Sequence, residues 1–434
     1  MGPERLLEMQ AVASVLPFKT NSYITDELID WDNVPSDPMF QLTFPQPGML
    51  RDAQLSRMVD LLRAEAPKEE VDAAAREIQR SLNPHPSGQV ELNTPMLDGK
   101  PLPGMQHKYR ETVLFFPTQG QTCHAYCSYC FRWPQFVKLD DLKFASDEAQ
   151  DLVGYLRAHP EVTDVIFTGG DPMIMRTNVL QRYIEPLLDP EFSHVNIRIG
   201  TKAPAYWPQR FTQDRDADDL LRLLEDVVDA DRQLALMVHY SHPRELQTEA
   251  ARDALRRILS TGATVRCQAP LIRHVNDDSD AWAEMIRMEV RLGAIPYYMF
   301  VERDTGARHY FEVPLARALE IFDGAYRQVS GLGRTIRGPV MSAAPGKILV
   351  DGITEFGGER HFVLKMLQGR DPQWVNQLFF AKYDEKVAWY DGLQPSAGRS
   401  EFFFEGKSAK RVDLEARDRE SAHASDLLAR TQSA

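Results

Sequence analysis

The stretch TVLFFPTQGQTCHAYCSYC, residues 112–130, runs from an apolar segment directly into a polar loop that holds three cysteines. The same change of texture recurs along the chain. Apolar runs at 112–116, 164–167, 195–199, 234–238, 264–265 and 295–301 alternate with helix-periodic segments at 146–157, 179–188, 217–228, 248–259, 281–292 and 315–329. Near-continuous apolar strands need cover on both faces, so this alternation is the pattern of a parallel sheet flanked by helices. Six such units predict an open (β/α)6 barrel of partial TIM type, within the α/β class.

The residues just past each run matter more than the run itself. The strand ends read FTGGDP (167–172), RIGTKAP (198–204), MVHYSHP (237–243), RCQAP (266–270) and MFVERDTG (299–306), each turning polar or glycine-rich where the apolar residues stop. Any one polar loop after a strand is ordinary surface. Barrel sites, however, assemble at the C-terminal strand ends, and with the cysteine loop these make six in register, which predicts one composite site.

Outward from this core, residues 1–105 form a proline-rich N-terminal extension, mostly helical or irregular. Its amphipathic stretch at 52–82 should give two short helices broken near Pro67, because proline cannot continue a helix. Residues 106–332 form the barrel, and 333–405 a C-terminal extension containing RTIRGPVMSAAPGKILVDGI (334–353). Residues 406–434 are charged and poor in aromatics, which predicts a solvated helix or tail.

With 434 residues, 43% hydrophobic and 26% charged, the chain can bury a large core. A net charge of −13 without a Lys/Arg block argues against nucleic acid and for a small-molecule substrate. No apolar run approaches the roughly 20 residues of a membrane span, and no signal-like start is present, so a cytoplasmic location is expected.

Of the 4 cysteines, Cys267 stands alone, and Cys123, Cys127 and Cys130 share one loop. That is no disulfide framework. Three thiolates spaced this way suit an iron–sulfur cube with one iron left open for another ligand. A structural zinc site, for which His124 is the nearest fourth ligand, and a set of unligated core thiols are the rival readings.

CHAYCSYC, CFR after the third cysteine, FTGGDP, IRIGTKAP, HYSHP, PYYMF and APGK stand in the order of a known family, from about residue 108 to 347. The chain resembles the lysine 2,3-aminomutase-like branch of the radical S-adenosylmethionine enzymes. The resemblance implies a [4Fe–4S] cluster on Cys123, Cys127 and Cys130, with S-adenosyl-L-methionine chelated to the open iron. Gly169, Gly170 and Asp171 match the element that approaches its methionine amino group, and His239 and Gln268 match further contacts to it. Lys347 matches the lysine that covalently holds pyridoxal 5′-phosphate, with Lys108 and Arg110 as cations for its phosphate. Arg132 matches the arginine that pairs with the substrate α-carboxylate, a role that suits a guanidinium fork.

The likeness also has gaps. The glycine run that precedes the family's lysine is reduced to Pro345 and Gly346, and Thr112 falls where a phosphate-binding arginine would lie. Arg303 and Ala343 occupy the positions of two aspartates that grip the lysine ammonium, and Asp278 stands where a zinc-binding cysteine would fall. A cation in place of an anion reverses the electrostatic selection, which points away from lysine and toward an acidic substrate such as glutamate or aspartate. The expected activity is thus a 2,3-aminomutase moving an α-amino group to the β-carbon, with no zinc, an electron donor such as flavodoxin or ferredoxin, and homo-oligomeric assembly. A dehydratase, epimerase or modifying enzyme with the same radical chemistry is the alternative. An iron–sulfur electron carrier, more distant, would need only the cysteine loop.

Overall fold

The computed structural model of the chain describes residues 1–83, 93–137, 145–146, 148–396 and 398–405. The expected tail at 406–434 lies outside the described residues. The main strands are β1 (Met105–Tyr109), β2 (Thr112–Phe115), β3 (Asp164–Phe167), β4 (Asn196–Thr201), β5 (Leu234–His239), β6 (Thr264–Leu271), β7 (Ile295–Val301), β8 (Arg337–Ser342), β9 (Gly346–Phe356), β10 (Glu359–Gly369) and β11 (Leu378–Lys382). They form one 11-stranded sheet whose neighbours follow chain order.

From β2 to β7 every neighbouring pair is parallel, matching the six apolar runs. β8 lies parallel against β7 and extends the parallel run by one strand. β1 pairs antiparallel with β2, and β9, β10 and β11 form an antiparallel meander after β8. β6 runs to Leu271, well beyond its expected end, because β5 and β7 flank it and satisfy the backbone of its polar and proline-containing half. The meander falls in the C-terminal extension, where its two-residue turn at Gly357 and Gly358 has φ of +64° and +78°. Such a turn needs positive φ twice, which glycine supplies without a Cβ clash.

The connecting helices span Ala149–Ala158, Thr177–Ile184, Ala217–Asp229, Glu249–Ser260, Ser279–Arg291 and Leu315–Arg327. Ala217–Asp229 shows why they dock: Leu220, Leu224 and Val227 share one face and are fully buried. Burial of each such side chain contributes roughly 1.5–3 kcal/mol. The N-terminal extension contributes α1 (Pro3–Val15), α2 (Asp52–Arg63) and α3 (Lys68–Leu82), the last two separated at Pro67 as expected. Val12, Met58 and Ile78 from these helices belong to the same apolar core as Val113, Phe167 and Leu236. Met341, Ile348, Phe362 and Trp389 build a second apolar cluster around the meander.

Side chains tie the β1 edge to the far side of the sheet. Lys108 on β1 donates to the carbonyl of Ala343 in the β8–β9 turn. Arg370, just past β10, donates to Asn93 Oδ1 at 2.5 Å. Among the described residues no helix is long and apolar enough to cross a membrane.

Candidate functional site

β2 ends at Phe115, and the chain enters the cysteine loop through a short turn at Thr118–Gly120. Two neighbours hold that loop. From the end of β3, Gly170 N–H donates to Gly120 O at 3.0 Å and Asp171 N–H to Thr122 O at 2.9 Å. A Cβ on Gly170 would lie 2.4 Å from Thr122 O, so only glycine lets the two segments meet. Gly169 sits at φ +147°, where a Cβ would meet the Gln121 side chain at 2.3 Å. From the other side, Lys19 Nζ donates to Cys123 O at 2.6 Å. The backbone N–H groups of Tyr126 and Ser128 donate to Lys19 O and Leu42 O, both at 2.9 Å. The N-terminal extension is therefore part of the cysteine site.

Burial pushes all three thiols up, Cys130 to about 12, and Cys123 and Cys130 lie in the field of the other cysteines. Among the described residues no three His, Cys, Asp or Glu side chains gather tightly enough to grip a single ion. The three thiols lie on one loop, the arrangement in which each could ligate a different iron of one cube. Burial drives His124 down to about 3, and neither of its ring nitrogens has a hydrogen-bond partner among the described residues.

Beside the loop, His239 and Gln268 are direct partners across β5 and β6, with their side-chain nitrogens 3.0 Å apart. Burial holds His239 neutral, with its pKa driven down to about 3, and Lys202 and Arg132 add to the effect. Asp171 has a structural task. Its carboxylate accepts from Met173 N–H at 3.0 Å, Thr201 Oγ1 at 2.7 Å and Lys202 N–H at 2.8 Å, fixing the end of β3 to the end of β4. Lys202, in the strand-end motif RIGTKAP, is a further member of the site. Its Nζ pairs with the fully buried Glu245 at 2.7 Å and donates to His239 O at 3.1 Å and Ser241 Oγ at 3.2 Å.

Lys347 is the second residue of β9, opposite Ser342 on β8. The turn between them is tight: a Cβ on Gly346 would lie 2.0 Å from Gln368 O. Arg370 clamps that turn, donating from Nε to Ala344 O at 2.9 Å and from its backbone to Pro345 O at 3.1 Å. Lys347 Nζ lies 4.9 Å from the Tyr298 ring centre and 5.7 Å from that of Tyr109. Burial, with Arg198 and Arg337 adding, pushes its amine down to about 7. Lys108 shares this region, and burial together with Arg370, Arg303 and Lys347 holds it well below the usual lysine range. Arg110 does not join them. It is exposed in the β1–β2 turn, at the opposite end of β2 from the cysteine loop.

Two guanidinium groups converge on one ring. Arg132 and Arg303 each lie 5.1 Å from the Phe131 ring centre, and Arg132 also lies 4.7 Å from Phe116. Arg132 Nη2 donates to Thr168 Oγ1 at 3.3 Å, whereas the buried Nε of Arg303 finds no hydrogen-bond partner among the described residues. Burial, with Arg303 nearby, depresses Arg132 to about 10. Burial lowers Arg303 too, against the pull of Asp304 and Glu302. It also pushes the Glu302 carboxyl well above the ordinary range, which weakens it as a counter-ion.

No family model matches the chain. A protein of Aquifex aeolicus (strain VF5), provisionally named an L-lysine 2,3-aminomutase, is 30% identical over 390 residues, covering 89% of this chain and 90% of its own. The L-lysine 2,3-aminomutase of Clostridium subterminale is 30% identical over 233 residues, 53% of this chain and 52% of its own. The chain thus spans about half the length of that enzyme. The enzyme of the same name from Acetoanaerobium sticklandii is 28% identical over 285 residues, 65% of this chain and 64% of its own. A radical SAM methyltransferase from Sphaerobacter thermophilus superposes with a TM-score of 0.36 at 16% identity over 52% of this chain and 66% of that one, a likeness too distant to argue from. On the Aquifex relative's identity across nearly the whole of both chains, this protein belongs to the lysine 2,3-aminomutase-like family of radical S-adenosylmethionine enzymes.

Proposed function

We propose that the chain is a pyridoxal phosphate-dependent 2,3-aminomutase that moves the α-amino group of an acidic amino acid, such as glutamate or aspartate, to its β-carbon. One observation carries the reading. The half-buried Lys347 amine, pushed down to about 7, and Arg303, one of two guanidinium groups that meet on Phe131, both act on the amine of Lys108. We read the curled sheet as the wall of an open barrel whose parallel strand ends face this site.

Cys123, Cys127 and Cys130 would hold the [4Fe–4S] cluster, and the backbone of Gly169 and Gly170 with His239 and Gln268 would line the S-adenosylmethionine site. Lys347 would carry pyridoxal phosphate, with Lys108 toward its phosphate. Together these groups supply a hydrogen-abstracting radical and an electron sink for the migrating nitrogen. The remaining work belongs to the chain. Lys347 offers a neutral amine at physiological pH because burial and the Arg198 and Arg337 charges disfavour its proton. Arg132 receives the α-carboxylate beside the cysteine loop, and Arg303 receives the side-chain carboxylate. Arg303 would repel the side-chain ammonium of lysine. Tyr109 and Tyr298 pack about the Lys347 amine and keep water from it. The electron would come from a low-potential carrier such as flavodoxin or ferredoxin, in a cytoplasmic homo-oligomer.

The placement of Arg110 favours a second reading. With that cation remote and Lys108 engaged by Ala343 O, the phosphate site is sparer than expected, which suits a dehydratase, epimerase or modifying enzyme working without pyridoxal phosphate. Borohydride reduction of protein incubated with pyridoxal phosphate, with peptide mass spectrometry of the product, separates the two. A reduced adduct on Lys347 supports the aminomutase, and modification of other lysines alone supports the second reading.

A further inference from the structure

A phenol stands against one of the three cysteine sulfurs. Tyr206 Oη lies 3.6 Å from Cys127 Sγ, and the Tyr206 side chain is fully buried. It sits in a short helix, Ala203–Tyr206, that starts immediately after Lys202. Three contacts set its position. Asp171 fixes Lys202 N–H and Thr201 Oγ1 at the start of the turn. Lys202 Nζ, itself held by Glu245, lies 4.4 Å from the centre of the Tyr206 ring. Asn21 Nδ2, from the N-terminal extension, donates to Tyr206 O at 3.0 Å. The hydroxyl is thus placed by a chain of contacts running from the Gly-Gly-Asp element.

A cluster-ligating cysteine is a thiolate and has no proton to give, so between the two groups only the phenol can donate. A hydrogen bond to a cluster sulfur draws electron density from it and favours the reduced cluster. We propose that Tyr206 is a positioning residue that donates to the Cys127 thiolate and raises the reduction potential of the cluster. The step it eases is the transfer of one electron from a low-potential carrier to the oxidised cluster, [4Fe–4S]2+ + e− → [4Fe–4S]+, with no proton moved and no bond broken. The inference rests on the cluster at Cys123, Cys127 and Cys130 and is independent of the rearrangement and of pyridoxal phosphate.

The test uses the full chain, reconstituted anaerobically, in wild-type form and as Tyr206→Phe, which keeps the ring and removes the donor. Iron content is measured first, and wild-type protein that binds no iron would overturn the cluster assignment itself. EPR-monitored redox titration with dithionite then reads the ratio of reduced to oxidised cluster at a fixed potential. That ratio should fall about three- to tenfold in Tyr206→Phe, tenfold corresponding to 59 mV for one electron. The Fe–S(Cys) stretch in resonance Raman spectra should rise, a change that a purely structural role would not produce. An unchanged ratio and stretch at full iron content would overturn the proposal. If Tyr206→Phe holds no iron, Tyr206→Gln decides: recovery of iron by this second donor supports the proposal, and equal failure contradicts it.

Discussion

The two sides of the site treat their cations differently. At the ends of β4 and β5, Lys202 is neutralised by the buried Glu245 at 2.7 Å and bonded to His239 O and Ser241 Oγ. Around the β8–β9 turn, the half-buried Lys108 and Lys347 lie in the fields of further cations, and next to the cysteine loop Arg132 and Arg303 share the Phe131 ring. A buried charge paired with its counter-ion fixes structure. Crowded cations with depressed pKa values are costly unless an anion completes them, and the anions that would fit are a phosphate and two carboxylates. On the proposed reading, the contrast separates a side that would hold the cluster from a side that would take anionic ligands.

The largest expected effect breaks the first side. Cys130→Ala should lose the cluster and with it all 5′-deoxyadenosine formation, read by iron analysis and chromatography of the products, while the fold persists by circular dichroism. Next, Lys347→Ala should abolish the borohydride-fixed adduct and amino migration yet leave the iron content unchanged. The same residue gives a pH signature. Pyridoxal phosphate capture needs the neutral amine, so its rate should rise about tenfold per pH unit below pH 7 and level off above it. A rate still climbing between pH 8 and 10 would mean an ordinary lysine.

Arg303→Gln removes one carboxylate partner, worth about 1.5–3 kcal/mol for a bond between charged groups, or a rise in KM for the acidic substrate of ~10- to 100-fold. Gly170→Ala forces a Cβ against Thr122 O and should destabilise the chain by about 1–3 kcal/mol, seen in denaturant melts together with weakened iron retention. Smallest of all, Arg110→Ala should leave pyridoxal phosphate affinity unchanged, whereas Lys108→Met should weaken it in the same titration.

The cluster side is also the more legible one in the sequence. The strands at 164–167 and 295–301 lie where their apolar runs stand, Gly170 touches the cysteine loop, and His239 touches Gln268. The illegible features depend on distant partners. Nothing local marks Lys202 as the mate of Glu245, or Tyr206 as a neighbour of Cys127, because both pairings arise only when separate loops converge. α1 hides among the prolines of the N-terminal extension. The β9–β10 hairpin does carry a signal, the Gly357-Gly358 pair between alternating residues, but a hairpin breaks the β/α rhythm that marks the strands before it. Arg110 shows the opposite failure: proximity in sequence to Lys108 suggests a shared site, but Lys108 reaches Ala343 O whereas Arg110 is exposed in the β1–β2 turn.

The central claim is tested most directly by deuterium transfer. Reduced holoenzyme is supplied with S-adenosylmethionine, pyridoxal phosphate and β-deuterated glutamate, aspartate or lysine in turn, and the 5′-deoxyadenosine and amino acids are analysed by mass spectrometry. The account predicts deuterium in 5′-deoxyadenosine and a β-amino isomer from an acidic amino acid, with little from lysine. Transfer from lysine alone would contradict the assignment of Arg303, and no transfer from any of the three would contradict the aminomutase itself.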